Sequence, residues 1–453
     1  MRIEFMDGWP YRQPRLFVDG ISSEHVNNAG EVCLWPVGAR DRAWLTLQGL
    51  NYRIDEWVAA AGAGFPDDTI FDAHLYFDPY IHPGIATVKL RDIVPRRRGA
   101  KGRVYGRWLY NGRLLELTTR RGDHPLTGRW YFVDRVSAPP RNFAEVCALL
   151  TSSQADSLDA GQAAVASGKG DRLVLLVWET ADGPNALTLV QQLVSGGAQS
   201  KAIPTAPEDS EYLEMRAGPD FEILQKKRVV VFGAGSVGSH LAVRLAECGI
   251  GTLSLYDSDL LRPGNVVRHI GRRDQVGLPK TNVVQAAISE RIPWTKVELG
   301  YETWDVDKLA AAVGGADLVI DATGNGGFTD LLSELCCREK RWLIGAALYR
   351  RGALGRIERQ ATAGDTPTGE RDVGADSRYP LIPPGDEPAS LEPGCTARVN
   401  NAPPSTVAAL AAQAAEVAID ALTGKFSYGD DLIEVYRPLA VAPFDRVGTV
   451  RVE

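Results

Sequence analysis

Long apolar runs are missing from this 453-residue sequence. No stretch reaches the roughly 18 consecutive apolar residues of a membrane helix, so we expect no membrane span. The first residues, MRIEFMDGWPYRQP, contain no apolar run before their prolines, so no signal peptide is expected. Positive charge is not in excess either. The net charge of -7 offers no bulk attraction to nucleic acid, so we expect no nucleic-acid partner.

Cysteine is scarce, with six residues in the whole sequence, and none form C-x-x-C pairs. A structural zinc site is therefore not expected. A few scattered thiols without an export signal are typical of a reduced, cytoplasmic protein. Free, reactive thiols are compatible with this setting.

The chain divides by composition into three regions, which we assign as 1–140, 141–205 and 206–453. The first contains a strand at 15–18, an amphipathic helix from Leu47 to Ala61 and a β-rich extension. The second is predicted to be a small α/β unit with a helix, the strand RLVLLVWE and a second helix, ALTLVQQLV. Residues 200–212 are expected to form a linker.

Strands and helices alternate in the third region. RVVVFGAG, TLSLYD and DLVIDAT are predicted to be buried strands, with helices between them. This alternation predicts an α/β fold with a Rossmann-like, doubly wound parallel sheet. An alanine-rich helix near the end is expected to be capped by Ser405 and to stop at Gly424.

Three glycines, Gly233, Gly235 and Gly238, form a G-x-G-x-x-G motif between strand and helix. Such glycines permit a tight turn and let backbone N–H groups approach a phosphate at the helix N-terminus. Asp257 ends the following strand, at the distance where dinucleotide-binding domains place a ribose ligand. These four residues alone also fit an NAD(P)-dependent oxidoreductase.

The next segment favours a triphosphate, because Asn265, Arg268 and Lys280 follow the ribose carboxylate closely. This D-x-D, N-x-x-R, G-x-x-K series resembles the enzymes that activate ubiquitin and sulfur-carrier proteins, the ThiF and MoeB superfamily, over about residues 210–450. The resemblance implies ATP as cosubstrate, with Asp257 on the ribose and Asn265, Arg268 and Lys280 on the phosphates. It also implies a homodimer, in which Arg216 is a candidate for the arginine inserted into a neighbouring nucleotide site.

The same resemblance implies a Mg²⁺ ligand at the end of a later strand. The family pattern has a second aspartate where this sequence has Gly324, in Asp321-Ala322-Thr323-Gly324-Asn325. Asp321 is therefore the candidate metal ligand. The departure leaves open a domain that binds nucleotide without turning it over.

Two cysteines are candidate acyl carriers. Cys395, in EPGCTARVNNAPPS, resembles the cysteine-Thr motif of ubiquitin-type activating enzymes. Cys33, in HVNNAGEVCLW, together with WPYRQPRLFV upstream, resembles the core of ubiquitin-conjugating enzymes and implies a reduced α+β conjugating domain. Both thiols would carry the acyl group as a thioester.

The sequence therefore predicts ATP-dependent adenylation of a protein C-terminus, followed by thioester transfer to a lysine-bearing target. Fusions of this kind resemble those of bacterial antiphage operons, so a ubiquitin-like protein or another protein C-terminus is the expected substrate. A sulfur-carrier adenylyltransferase, an NAD(P)-dependent oxidoreductase and a non-catalytic nucleotide-binding partner remain alternatives.

Overall fold

A computed structural model describes most of the chain. The residues outside the description are 21–24, 27–29, 33, 36–41, 64–83, 137–139, 141–142, 159–171, 181–182, 195–196, 301–304, 362–364, 372–377, 386–389, 392–397, 400 and 452–453. The chain forms two compact units, Met1–Tyr212 and Leu213–Glu453.

The first unit begins with a small antiparallel sheet followed by a helix. The sheet has the order β1-β2-β3, and its strands are β1 (Arg2–Glu4), β2 (Arg15–Phe17) and β3 (Glu31–Val32). Helix α1 (Leu47–Gly62) lies where it was predicted and begins at Thr46, whose hydroxyl accepts from Gly49 N. Leu50 and Trp57 pack into the core with the sheet residues, whereas Leu47 and Val58 are exposed.

The rest of the first unit is a closed β-barrel. Its strand order is β10-β4-β6-β5-β7-β8-β9, with β4 (Ile85–Val88), β5 (Lys101–Leu109), β6 (Leu114–Thr118), β7 (Leu126–Phe132), β8 (Leu173–Thr180), β9 (Gly183–Val194) and β10 (Gly197–Pro207). β5 and β7 are antiparallel, which confirms the β-rich prediction for that region.

The barrel differs from the predicted small α/β unit over 141–205. ALTLVQQLV is part of strand β9 rather than a helix, and most of the expected linker is strand β10. β7 pairs with β8, and β10 pairs with β4, so strands from both sides of residue 141 share one barrel. The expected helix before them is present as α2 (Phe143–Leu149). Alternate apolar side chains fill two clusters, one of which includes Val146 of α2.

The second unit is an α/β layer structure. After α3 (Ser210–Glu214), its elements are α4 (Phe221–Leu224), β11 (Arg228–Phe232), α5 (Ser236–Glu247), β12 (Thr252–Tyr256), α6 (Lys280–Ser289), β13 (Lys296–Gly300), α7 (Val306–Gly314), β14 (Leu318–Asp321), α8 (Gly326–Glu339), β15 (Trp342–Tyr349), β16 (Leu354–Gln360), α9 (Thr368–Arg371), β17 (Ser390–Leu391), β18 (Arg398–Val399), α10 (Pro404–Leu422), β19 (Asp431–Val435) and β20 (Gly448–Arg451).

The main sheet of this unit has the order β13-β12-β11-β14-β15-β16-β19-β20. The strands from β13 to β15 are parallel, as predicted, and β16, β19 and β20 extend the sheet in antiparallel fashion. The strand order reverses between β11 and β14. In open α/β sheets ligands bind outside the carboxyl ends of the strands at this reversal.

Helix α10 is 19 residues long and is apolar enough to cross a membrane by length and composition. Half of the apolar 18-residue segment of this helix is buried. Its apolar residues, including Val407, Leu410 and Ala414, belong to the core cluster of the second unit. The helix is therefore a core element here. Pro403 occupies the N-cap position, so the cap predicted at Ser405 is wrong. Gly424, with φ +72°, follows the helix end as expected.

Candidate nucleotide-binding site

The Gly-rich turn joins β11 to α5, and its three glycines serve different purposes. Gly233 has φ +89°, and a Cβ there would lie 2.7 Å from the carbonyl carbon of Ala322. A Cβ on Gly238 would lie 1.8 Å from the Gly233 oxygen. Gly235 precedes the helix as its N-cap, and a Cβ there would meet nothing within 4 Å. Gly233 and Gly238 thus allow close backbone packing, while Gly235 leaves space beside the helix N-terminus.

That space is part of a cavity of about 610 Å³ at the reversal point of the sheet. Its size is typical of small-molecule sites. Of the predicted site residues, Gly235, Asn265, Arg268, Lys280 and Asp321 line it together. The other lining residues are Ser236, Val237, Asp259, Arg262, His269, Ala322, Thr323, Gly324, Gly326, Thr329, Asp330, Gly345, Ala346, Ala347, Leu348, Tyr349, Glu358, Thr368 and Ala402.

One wall of the cavity is cationic. Among the described lining residues, Arg262, Arg268 and Lys280 all come from the segment between β12 and the start of α6. Lys280 is 12% exposed, and its Nζ lies 2.6 Å from Asp259 Oδ2. The side-chain oxygen of Asn265 accepts from Arg262 N at 3.2 Å, which closes a short 3₁₀ turn. Cationic side chains beside a cavity of this size suit the phosphates of a nucleotide.

Asp257, the predicted ribose ligand, accepts hydrogen bonds from two backbone groups. Its Oδ2 accepts from Ala234 N at 2.7 Å, and its Oδ1 accepts from Asp259 N at 2.8 Å. It is not among the described residues that line the cavity. Burial raises the pKa of this carboxyl, while the Lys280 charge and the two backbone donors lower it. In this structure Asp257 anchors the Gly-rich turn, and its contact with a ribose stays a prediction.

Asp321 also lines the cavity, at the end of β14, and is 3% exposed. Its Oδ1 accepts from the backbone N and the hydroxyl of Thr323, at 2.9 and 2.6 Å, and its Oδ2 accepts from the Thr329 hydroxyl. Gly324, with φ +65°, is in left-handed backbone that favours glycine.

No group of three or more His, Cys, Asp or Glu side chains in the described part of the chain could hold a metal ion. Mg²⁺ bound together with substrate phosphates needs only one or two protein carboxylates. Asp321 fits that requirement, because its Oδ2 retains a lone pair beyond the Thr329 bond.

His269 is a site residue that the sequence did not single out as functional. It is 6% exposed, and burial lowers its pKa to about 4. Its position directly after Arg268 was the available signal. Glu358 and Thr368 also line the cavity and were missed, because they lie beyond the parallel strands that carry the predicted motifs.

The remaining candidates are not among the described residues that line this cavity. Cys33 and Cys395 are outside the described residues. Arg216 is exposed and is not among the described lining residues. Of the other cysteines, Cys336 is buried, Cys147 and Cys248 are half-buried, and Cys337 is exposed.

Comparison with known proteins places the second unit in a family. The model of the ThiF family matches residues 213–444, which is about half of the chain. The SAMP-activating enzyme E1 of Haloferax volcanii is 30% identical over 212 residues, covering 46% of this chain and 74% of that protein. The molybdopterin-synthase adenylyltransferase of Escherichia coli is 31% identical over 135 residues, covering 29% and 54%.

The similarity to a further relative covers a smaller share of that protein, and a solved structure is also similar to this chain. The uncharacterized protein y4oA of Sinorhizobium fredii is 34% identical over 156 residues, which cover 31% of this chain and only 26% of that protein. Among solved structures, E. coli MccB with ATP has 19% identity and a TM-score of 0.39, covering 52% of this chain and 68% of that chain. The extent of the family match, together with the motif residues gathered in the cavity, shows that the chain belongs to the ThiF family.

Proposed function

We propose that the second unit uses ATP to adenylate the C-terminal carboxylate of a protein. The observation that carries this proposal is the convergence of Gly235, Arg268, Lys280 and Asp321 on one cavity at the sheet reversal. The names of two relatives, an E1 and a molybdopterin-synthase adenylyltransferase, agree with it.

The phosphates of ATP would lie between the N-terminus of α5 and the cationic wall. The Gly-rich turn offers backbone N–H groups, and the helix dipole favours negative charge there. A carboxylate oxygen of the substrate attacks the α-phosphorus, and the bond to the bridging oxygen of pyrophosphate breaks. Arg268 and Lys280 stabilise the charge that develops on the leaving pyrophosphate. Asp321 would hold Mg²⁺, which supplies charge neutralisation on the phosphates.

The later steps use the two candidate thiols. We propose that the sulfur of Cys395 attacks the acyl carbon, which releases AMP and forms a thioester. The acyl group then passes to the sulfur of Cys33 by exchange of thioesters. A lysine amine of a target protein attacks last and frees the thiol. A ubiquitin-like substrate, a homodimer and a role in cytoplasmic antiphage defence belong to the same proposal, on the resemblance alone.

The proposal is tested by isotope exchange between ATP and pyrophosphate, in the presence of Mg²⁺ and a small ubiquitin-like protein with a free C-terminal carboxylate. Lys280→Ala should lower exchange by about 100-fold or more, because a preorganised charge contact is lost. Lys296→Ala is the matched control, since Lys296 is 71% exposed on strand β13. Equal exchange in the two variants would contradict the assigned role of Lys280.

Mass spectrometry separates the transfer steps. Wild type should show a reducible adduct with the small protein, and Cys395→Ala should show none. Cys33→Ala should stop with the adduct on Cys395. Exchange without any adduct would favour a sulfur-carrier adenylyltransferase, in which no enzyme thioester is needed.

Two alternatives remain. ATP binding without pyrophosphate exchange would favour a non-catalytic nucleotide-binding partner. The reason to test for this is Gly324, which stands where the family pattern has a second aspartate. Binding of NAD(P) in place of ATP would favour an oxidoreductase, although the cationic wall argues for a triphosphate.

A further inference from the structure

Ala234 is the middle residue of the Gly-rich turn, and both its backbone N–H and its carbonyl oxygen form hydrogen bonds with side chains. Its N–H donates to Asp257 Oδ2 at 2.7 Å, and its carbonyl oxygen lies 2.8 Å from Nε2 of His269. The neighbouring Gly235 and Ser236 line the cavity where phosphates would bind. The conformation of the turn therefore depends on side chains from two other segments.

The hydrogen bonds of His269 define its tautomer. Nδ1 accepts from Gly271 N at 2.9 Å, so the ring proton must be on Nε2, which donates to the Ala234 carbonyl. The ring is neutral, and both nitrogens are committed to backbone groups. His269 is thus engaged within the protein and is not available as an acid, base or direct ligand.

Gly271 makes this arrangement possible. A Cβ on Gly271 would lie 2.6 Å from Val283 Cγ1 of α6 and 3.1 Å from Nδ1 of His269. The close approach places the backbone N–H of Gly271 directly against the ring. The segment that holds His269 also supplies Asn265 and Arg268 to the cavity.

We propose that His269 is a positioning residue, which locks the Gly-rich turn to the Asn265–Arg268 segment so that both present their donors to the same phosphates. This inference rests on the proposed nucleotide site. The bond from His269 to Ala234 fixes the peptide that precedes Gly235, and the bond from Gly271 fixes the ring against the segment of Arg268. Loss of the ring leaves the two phosphate-binding segments without this connection.

The test compares His269→Gln with His269→Met in the full chain. Glutamine can donate to the Ala234 carbonyl and accept from Gly271 N, whereas methionine fills the space without a donor. Affinities for ATP with Mg²⁺ and for adenosine are measured by calorimetry. The methionine variant should bind ATP about tenfold more weakly, as expected for one lost buried hydrogen bond, and should bind adenosine as wild type does. The glutamine variant should keep ATP affinity within about threefold of wild type.

The outcomes separate this inference from the proposed function. Equal ATP affinity in the methionine variant and wild type would overturn the positioning role, and so would an equal loss of ATP and adenosine binding, which indicates general damage. If the methionine variant misfolds, the glutamine variant still tests the proposal, because a tenfold loss of ATP affinity in that variant would also overturn the positioning role. If wild type binds ATP but exchanges no pyrophosphate, the adenylation proposal fails while the affinities still decide the role of His269. A wild type that binds no ATP overturns both.

Discussion

Gly235 and Gly238 are three residues apart in one turn, yet a methyl group meets different surroundings at each. Gly235→Ala should fold normally, because the new Cβ contacts no atom within 4 Å, and should weaken ATP binding by occupying the cavity. Gly238→Ala should destabilise the unit by several kcal/mol or prevent folding, because its Cβ would lie 1.8 Å from a backbone oxygen. Thermal unfolding and ATP titration of the two variants check this. A stable Gly238→Ala protein would show that the turn can rearrange.

His269 makes the stability of the second unit depend on pH. Its folded-state pKa of about 4 lies below the ordinary value of about 6.5 in an unfolded chain. The unfolded chain therefore binds the extra proton first as the pH falls. Stability is full above pH 6.5 and declines toward pH 4, by roughly 3 kcal/mol in total from this group.

Urea unfolding of wild type and His269→Gln between pH 4 and pH 7 measures this contribution. The difference in unfolding free energy between the two proteins should change across that window, because only wild type carries the titrating ring. A difference that is constant with pH would contradict the assignment.

Much of the site could be predicted from residue spacing. Gly235, Asn265, Arg268, Lys280 and Asp321 line one cavity because each lies at or after the carboxyl end of a parallel strand. The hydrogen bond from Ala234 N–H to Asp257 Oδ2 could not be predicted, because spacing along the chain does not show how closely the two groups approach. The roles of Cys33 and Cys395 stay predictions.

Strand β9 shows why one element was predicted wrongly. Ala186 and Val190 pack in one cluster of the barrel, while Leu187 and Leu189 pack in another, so both faces of the strand are buried. A strand buried on both faces loses the alternation of apolar and polar residues that distinguishes it from a helix. The strands of the second unit were recognised because glycine turns and helices separate them.

Strands β16 and β19 share a buried ion pair. Arg356 and Asp431 are 4% and 0% exposed, and they form two hydrogen bonds of 2.9 Å. Asp431→Asn should destabilise the second unit by up to about 3–5 kcal/mol, because it removes the nearer carboxylate and leaves the guanidinium only Glu358 Oε1, at 3.5 Å. The double variant Arg356→Met/Asp431→Leu should recover most of that loss.

Urea unfolding of the single and double variants measures the two effects. The matched control is Asp220→Asn, which breaks the more exposed pair with Lys425 and should change stability by less than about 1 kcal/mol. A double variant as unstable as Asp431→Asn would mean that the charges themselves are required between these strands.

At the scale of the whole molecule, each unit has its own hydrophobic core. The largest cluster contains only residues of the second unit, from Leu224 to Leu432, and the barrel clusters contain only residues of the first. A fragment of residues 213–453 should therefore fold alone and unfold cooperatively. Circular dichroism during heating checks this, and a fragment without a cooperative transition would show that the first unit is needed for folding.

The closed barrel of the first unit affects how a partner protein could recognise it. An open sheet offers unpaired N–H and C=O groups at its edges, and an extended peptide can join it as an added strand. Strands β6, β7 and β8 are paired on both sides over most of their length, whereas residues 197–204 of β10 pair with β9 and residues 205–207 with β4. A partner of strands β6 to β8 must therefore recognise side chains and loops, so its binding would depend on the residue types there and not on a shared backbone ladder.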